Sequence, residues 1–137
     1  MSKDNVLGGY LINADGARHQ LPITLNPSNT TTTNMIKSVS CAGKGIVVMR
    51  CKPPPELGPY ELEMHVDSGN FLLMLNSNDA DGDHSVRTPA NKNTPNDLII
   101  ILGEKYPASS ITRDIEFVCS VFNEFAHFGD VSTDLLS

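Results

Sequence analysis

The sequence predicts an α+β domain, a single antiparallel or mixed sheet of about six to seven strands with two helices packed against one face. Three observations point there. Short apolar runs follow one another through the middle of the chain with hairpin-length gaps between them, which makes neighbouring strands antiparallel. Two stretches carry helical periodicity, one near each end, and they are too few to serve as crossovers for parallel strands. The chain of 137 residues, 39% hydrophobic, suits one domain, residues 1–137, with a single core.

In chain order, Val6 to Ile12 reads as a first strand, and the Gly8-Gly9 pair inside it signals a bulge or the close approach of another backbone. After the Asn13 to Gly16 turn, His19 to Leu25 is a second strand that Pro22 pushes towards an edge. A helix from Thr31 to Ala42 turns Met35, Ile36, Val39 and Ala42 inward, and Gly43 ends it. Gly45 to Cys51 is an apolar strand stopped by three prolines. Tyr60 to Val66 alternates, with Leu62, Met64 and Val66 on one face and Glu61, Glu63 and His65 on the other. A tight connection at Asp67 to Asn70 returns the chain as Phe71 to Leu75. An acidic loop, Asn76 to His84, leads to a strand at Ser85 to Thr88, and Pro89 to Asn96 is a polar surface loop. Leu98 to Leu102 is apolar throughout, which predicts a central strand covered on both faces. A linker containing Pro107 then feeds the second helix, placed between Ser110 and Gly129. Its stripe is Ile111, Ile115, Val118, Phe122 and Phe125, with Ser110 or Thr112 as cap and Gly129 as terminator. The tail from Asp130 packs Val131 and Leu135 loosely on the body.

Composition narrows the function classes. Sixteen acidic against ten basic residues give a net charge of −6, unsuited to direct nucleic-acid binding and suited to a cationic partner. Cys41, Cys51 and Cys119 have no paired spacing, which argues for buried free thiols over a zinc ribbon or disulfide scaffold. No apolar run reaches the length of a membrane span, and the amino terminus lacks a secretory pattern, so a cytoplasmic protein is expected. The Walker, Rossmann, zincin and nucleophile-elbow motifs are missing, and no enzyme activity or cofactor is expected.

Three weaker features keep alternatives open. Asp79-Ala-Asp81-Gly82-Asp83 alternates carboxylates as a hard-cation loop would, but the EF-hand register places Ser77 and Thr88 at ligand positions. Glu63 and His65 share a strand face and could form an acid/base pair. Arg87 is a lone guanidinium among apolar neighbours, which suggests a buried pair with a carboxylate such as Glu104 or Asp114. A small-molecule or metal-binding regulatory module built on His65 and Arg87, or on the acidic loop, is the alternative function.

From Leu62 to Ser132 a string of short features recurs in order. They are FLLML, the acidic loop, Val86-Arg87-Thr88, Ile100 to Glu104, Ile111 to Asp114, Phe122 to Phe125 and Gly129 to Ser132. In this the chain resembles the small cytoplasmic immunity proteins of bacterial polymorphic toxin and contact-dependent growth inhibition systems, although it has no tryptophan, which several of those families display. The resemblance implies a non-enzymatic protein that binds and blocks a cognate toxin domain, often a basic nuclease. For such a role the expected contact surface is acidic, with Glu61, Glu63 and Asp67 on one strand and Asp79, Asp81 and Asp83 on the neighbouring loop extending it.

Overall fold

The computed structural model describes residues 4–89 and 97–137. Its α+β architecture is an eight-stranded antiparallel sheet with two helices on one face and a separate two-stranded sheet. The strands are β1 (Asp4–Ile12), β2 (Arg18–Gln20), β3 (Thr24–Leu25), β4 (Lys44–Lys52), β5 (Gly58–Asp67), β6 (Asn70–Asn78) and β7 (His84–Arg87). After these come β8 (Leu98–Ile101), β9 (Glu104–Pro107) and β10 (Ile111–Thr112); the helices are α1 (Asn29–Ala42) and α2 (Ile115–Phe128). The main order is β10-β6-β5-β4-β1-β2, with β3 on the free edge of β1 and β7 on the free edge of β6. Each long outer strand is thus finished by two short pieces, which blunts both sheet edges.

Alternation decides what lies on each face. Leu7, Val47, Met49, Leu62, Met64, Val66, Leu73 and Leu75 point to the helix side and are fully buried. They meet Met35, Ile36 and Val39 of α1 and Val118, Val121, Phe122 and Phe125 of α2. The helical stripes read from the sequence are therefore core surfaces. The glycine pair in β1 answers a close approach: a Cβ on Gly9, at φ 149°, would lie 2.1 Å from the Ile46 carbonyl oxygen. Only glycine fits there.

Several expectations need correction. The second helix starts at Ile115, not at Ser110, because Asp114 caps it by accepting from the amides of Glu116 and Phe117 at 3.0 and 3.3 Å. Ile111 falls in β10, opposite Leu72, and leaves the helical stripe altogether. The first helix begins earlier than expected, at Asn29, because Ser28 is its cap. Pro22 divides the expected second strand into β2 and β3, both paired with β1. β6 runs on to Asn78, so the acidic loop shrinks to a tight turn in which the Asp79 amide donates to the Asp83 carbonyl at 2.8 Å. Of the polar loop expected at Pro89 to Asn96, residues 90–96 lie outside the described residues, and Pro89 is buried. Cys51 and Cys119 are buried and in no disulfide, whereas Cys41 is exposed.

The largest correction concerns Leu98 to Leu102. It is no central strand: Leu102 and Gly103 take positive φ of 51° and 88°, and the chain folds back as a β8–β9 hairpin. What reads as a linker is largely β9 and β10. The hairpin lies on the helix-free face, where Ile99, Ile101, Leu102 and Tyr106 pack on Leu72, Met74 and Ile111. An unbroken apolar run does mean two apolar faces, but here one covers the sheet and the other, Leu98 and Ile100, is exposed.

Candidate functional site

The helix-free face of the sheet is divided into two halves. The hairpin covers β10, β6 and part of β5, and among the described residues the β4–β1 side carries no further layer. Register places Val6, Gly8 and Tyr10 of β1 beside Arg50, Val48 and Ile46 of β4, and those beside Glu61, Glu63 and His65 of β5. Between Val6, Gly8, Ile23, Val48 and Arg50 lies a depression of about 220 Å³. That is below the roughly 300–1,000 Å³ typical of small-molecule sites.

Along β5 runs a polar chain with defined bonds. Asn76 on β6 is 8% exposed, and its amide nitrogen donates to Glu61 Oε1 and Glu63 Oε2, both at 3.0 Å. Arg50 Nη2 stands 3.4 Å from Glu61 Oε2, and His65 Nε2 stands 3.6 Å from Glu63 Oε1. Burial, followed by the neighbouring Glu63 charge, raises the Glu61 carboxyl above the usual carboxylate range. The imidazole of His65 beside Glu63 is the main reason that this carboxyl is held below that range, despite burial. Two adjacent carboxylates are thus driven apart by environment. Glu63 is the more readily ionised member.

The six acids expected to form one surface occupy three places. Glu61 and Glu63 come together in the middle of β5. Asp67 ends that strand, where its Oδ2 accepts from the Leu102 amide at 3.0 Å and holds down the hairpin turn. Asp79, Asp81 and Asp83 form the exposed tip between β6 and β7, at the opposite end of β6 from Asp67, and the tip begins three residues, about 10 Å, beyond Asn76, the register partner of Glu61. The tip acids bond locally: Asp79 accepts from Ser85 Oγ and Asp81 from the Asp83 amide. Among the described residues no group of three or more His, Cys, Asp or Glu side chains could hold a metal ion.

Arg87 also departs from expectation, since its partner is Asp130 and not Glu104 or Asp114. Nη1 donates to Asp130 Oδ1 at 3.1 Å, Nε to the Leu136 carbonyl at 3.0 Å, and Nη2 to the Val131 carbonyl. It clamps the carboxy-terminal tail onto β7. That tail is firmly seated, with Val131 3% and Leu136 0% exposed, while Leu135 is only partly buried. A second, polar niche of about 270 Å³ beside the start of α1 is structural as well. There Asn5 donates to the Ala126 carbonyl and Asn26 to Asp4.

Sequence reasoning missed the apolar part of this face. Of the seven large apolar side chains markedly exposed among the described residues, five belong to it: Ile23, Leu25, Val86, Leu98 and Ile100. Ile23 overlies Gly8, Leu25 pairs with Val6, Val86 pairs with Asn76, and Leu98 and Ile100 top the hairpin. The one signal available was the run Leu98 to Ile101, more apolar than a half-covered hairpin needs.

No helix among the described residues is long and apolar enough to cross a membrane. No curated protein matches the chain. A solved structure described as the crystal structure of a hypothetical protein from Neisseria gonorrhoeae is similar, with 28% identity and a TM-score of 0.84. The similarity covers 96% of this chain and 92% of that one. A family of unknown function, DUF6911, matches residues 4–135, and the chain belongs to that family.

Proposed function

We propose that this is a cytoplasmic immunity protein that acts by binding alone, occluding a cognate bacterial toxin domain with the helix-free face of its sheet. The observation that carries the reading is the concentration of exposed apolar side chains on that one face, around the ordered Glu61 and Glu63 carboxylates. Large apolar side chains exposed on one face, with ordered charged groups among them, mark that face as one that takes a protein partner. The surface differs from the purely acidic one expected from composition. Arg50 stands beside Glu61, and Lys44 lies opposite Asp67, so the face is mixed in charge and selects its partner by pattern. Glu61 and Glu63 remain the residues to meet a cation on the toxin.

The test is growth. The protein is co-expressed with each toxin domain encoded beside it in the source genome, as wild type and as Val48→Asp. Wild type should restore growth with one of them, and the variant, placing an unpaired charge at the centre of the face, should not. Failure of the wild type to protect against every such toxin removes the proposal.

A further inference from the structure

The helix-free face has the form of a step. One part carries the β8–β9 hairpin as an extra layer over β6, β10 and some of β5; the other, over β4, β1 and the β2–β3 edge, carries no such layer from the described residues. The top of the hairpin and the floor of the bare half match in chemistry. Leu98 and Ile100 are 64% and 57% exposed, and Pro107 and Lys105 pair with them in register and share their side of the hairpin. The floor offers Val6, Ile23 and Val48, with Glu61 and Glu63 alongside.

We infer that this face is closed in solution by a second copy of the chain. A two-fold axis running along the strands sets each hairpin on the bare half of the other molecule, so that the two hairpins lie side by side between two sheets. Leu98 and Ile100 then pack on Val6, Ile23 and Val48 of the other copy, and Lys105 meets its Glu61 and Glu63. A step turned about such an axis fits itself, and every contact occurs twice. The uncovered part, β4, β1 and the β2–β3 edge, is three strands wide, roughly 14 Å, and about 20 Å long. Two such contacts bury on the order of 1,000 Å² in total, the lower bound for a specific interface.

This inference goes beyond the immunity reading and stands without it. The two uses of the face exclude each other, so a toxin complex would contain a single copy. At that size a dissociation constant on the order of 10 µM is expected. The wild type at about 100 µM should therefore sediment mainly as a dimer. Leu98→Asp with Ile100→Asp, and separately Val48→Asp, should each sediment as monomers with unchanged circular dichroism. Mixing the two variants should bring back part of the dimer, because one hairpin-on-sheet contact is intact in the mixed pair and in neither variant alone. A monomeric wild type, a dimer indifferent to the hairpin substitutions, or a mixture that stays monomeric overturns the inference. Should Val48→Asp fail to fold, the hairpin variant still decides. Because protection is read by growth, a monomeric wild type leaves the immunity proposal standing.

Discussion

Replacing Arg87 by alanine removes three donors that hold the last eight residues against the body. Two of its bonds go to the main-chain carbonyls of Val131 and Leu136 and one to Asp130, whose side chain is 56% exposed. The exposed ion pair is worth less than about 1 kcal/mol. The carbonyl bonds, from a charged donor that is itself only 21% exposed, are worth about 1.5–3 kcal/mol each. They do not simply add, because the tail can undock instead. Undocking exposes Leu136 and Val131, which costs about 1.5–3 kcal/mol per side chain. Either route caps the loss at about 3–6 kcal/mol, a large share of the roughly 5–15 kcal/mol that holds a domain folded. With a urea slope of about 2 kcal/mol per molar, the midpoint should fall by about 1.5–3 M. Arg87→Lys keeps the charge but loses the fork and should recover less than half of this, while Asp130→Asn should cost under about 1 kcal/mol. Urea unfolding followed by circular dichroism measures all three, and hydrogen exchange at the Leu136 and Ser137 amides reports the tail directly. A cost below about 0.5 kcal/mol for Arg87→Ala, or an equal cost for Asp130→Asn, would refute the carbonyl clamp.

Glu61 and Glu63 should respond to substitution with opposite tendencies. Glu63→Gln at pH 7 should cost about 1–2 kcal/mol, since a hydrogen-bonded charge is lost. Because the folded-state pKa of Glu63 is lowered, its contribution is present above the unfolded value and disappears as pH falls through the folded one. The gap between wild type and variant should therefore close below about pH 4 in acid titrations of urea stability. Glu61, whose pKa is raised, is penalised when ionised, so Glu61→Gln should change stability by less than about 0.5 kcal/mol at pH 7. Asp114→Ala should cost about 1 kcal/mol by uncapping α2, measured by chemical unfolding, whereas Thr112→Ala should cost clearly less. Gly9→Ala should destabilise by more than about 2 kcal/mol through its collision with the Ile46 carbonyl, seen as a lowered thermal midpoint.

Local pattern carried far in this chain. The alternation of Leu62, Met64 and Val66 against Glu61, Glu63 and His65 assigns β5 and both its faces, because side chains on a strand must alternate whatever lies beyond. The periodic stripe from Ile115 to Phe125 assigns α2 and its buried side for the same kind of reason. Gly9 and Gly129 act through their own backbone limits, and each stands where a close approach or a helix end was expected.

What the residues could not decide was which surfaces meet across the fold. Leu98 to Ile101 is equally consistent with burial on two sides and burial on one, and only the packing of Ile99 and Ile101 on Leu72 and Met74 selects the latter. Arg87 announces a partner without naming it, since Asp130 lies 43 positions away and loop closure leaves no local trace. Charge counts behave likewise. They sum over the chain, whereas a surface is made by register, and register sets Glu61 beside Arg50 and Glu63 beside Val48 while Asp67 is drawn to the hairpin turn. Sequence therefore determined β5 and α2 and their faces, because those depend on backbone geometry within a few residues. Only the tertiary structure decided the β8–β9 hairpin and which part of the sheet the described residues leave uncovered, because both follow from long-range packing.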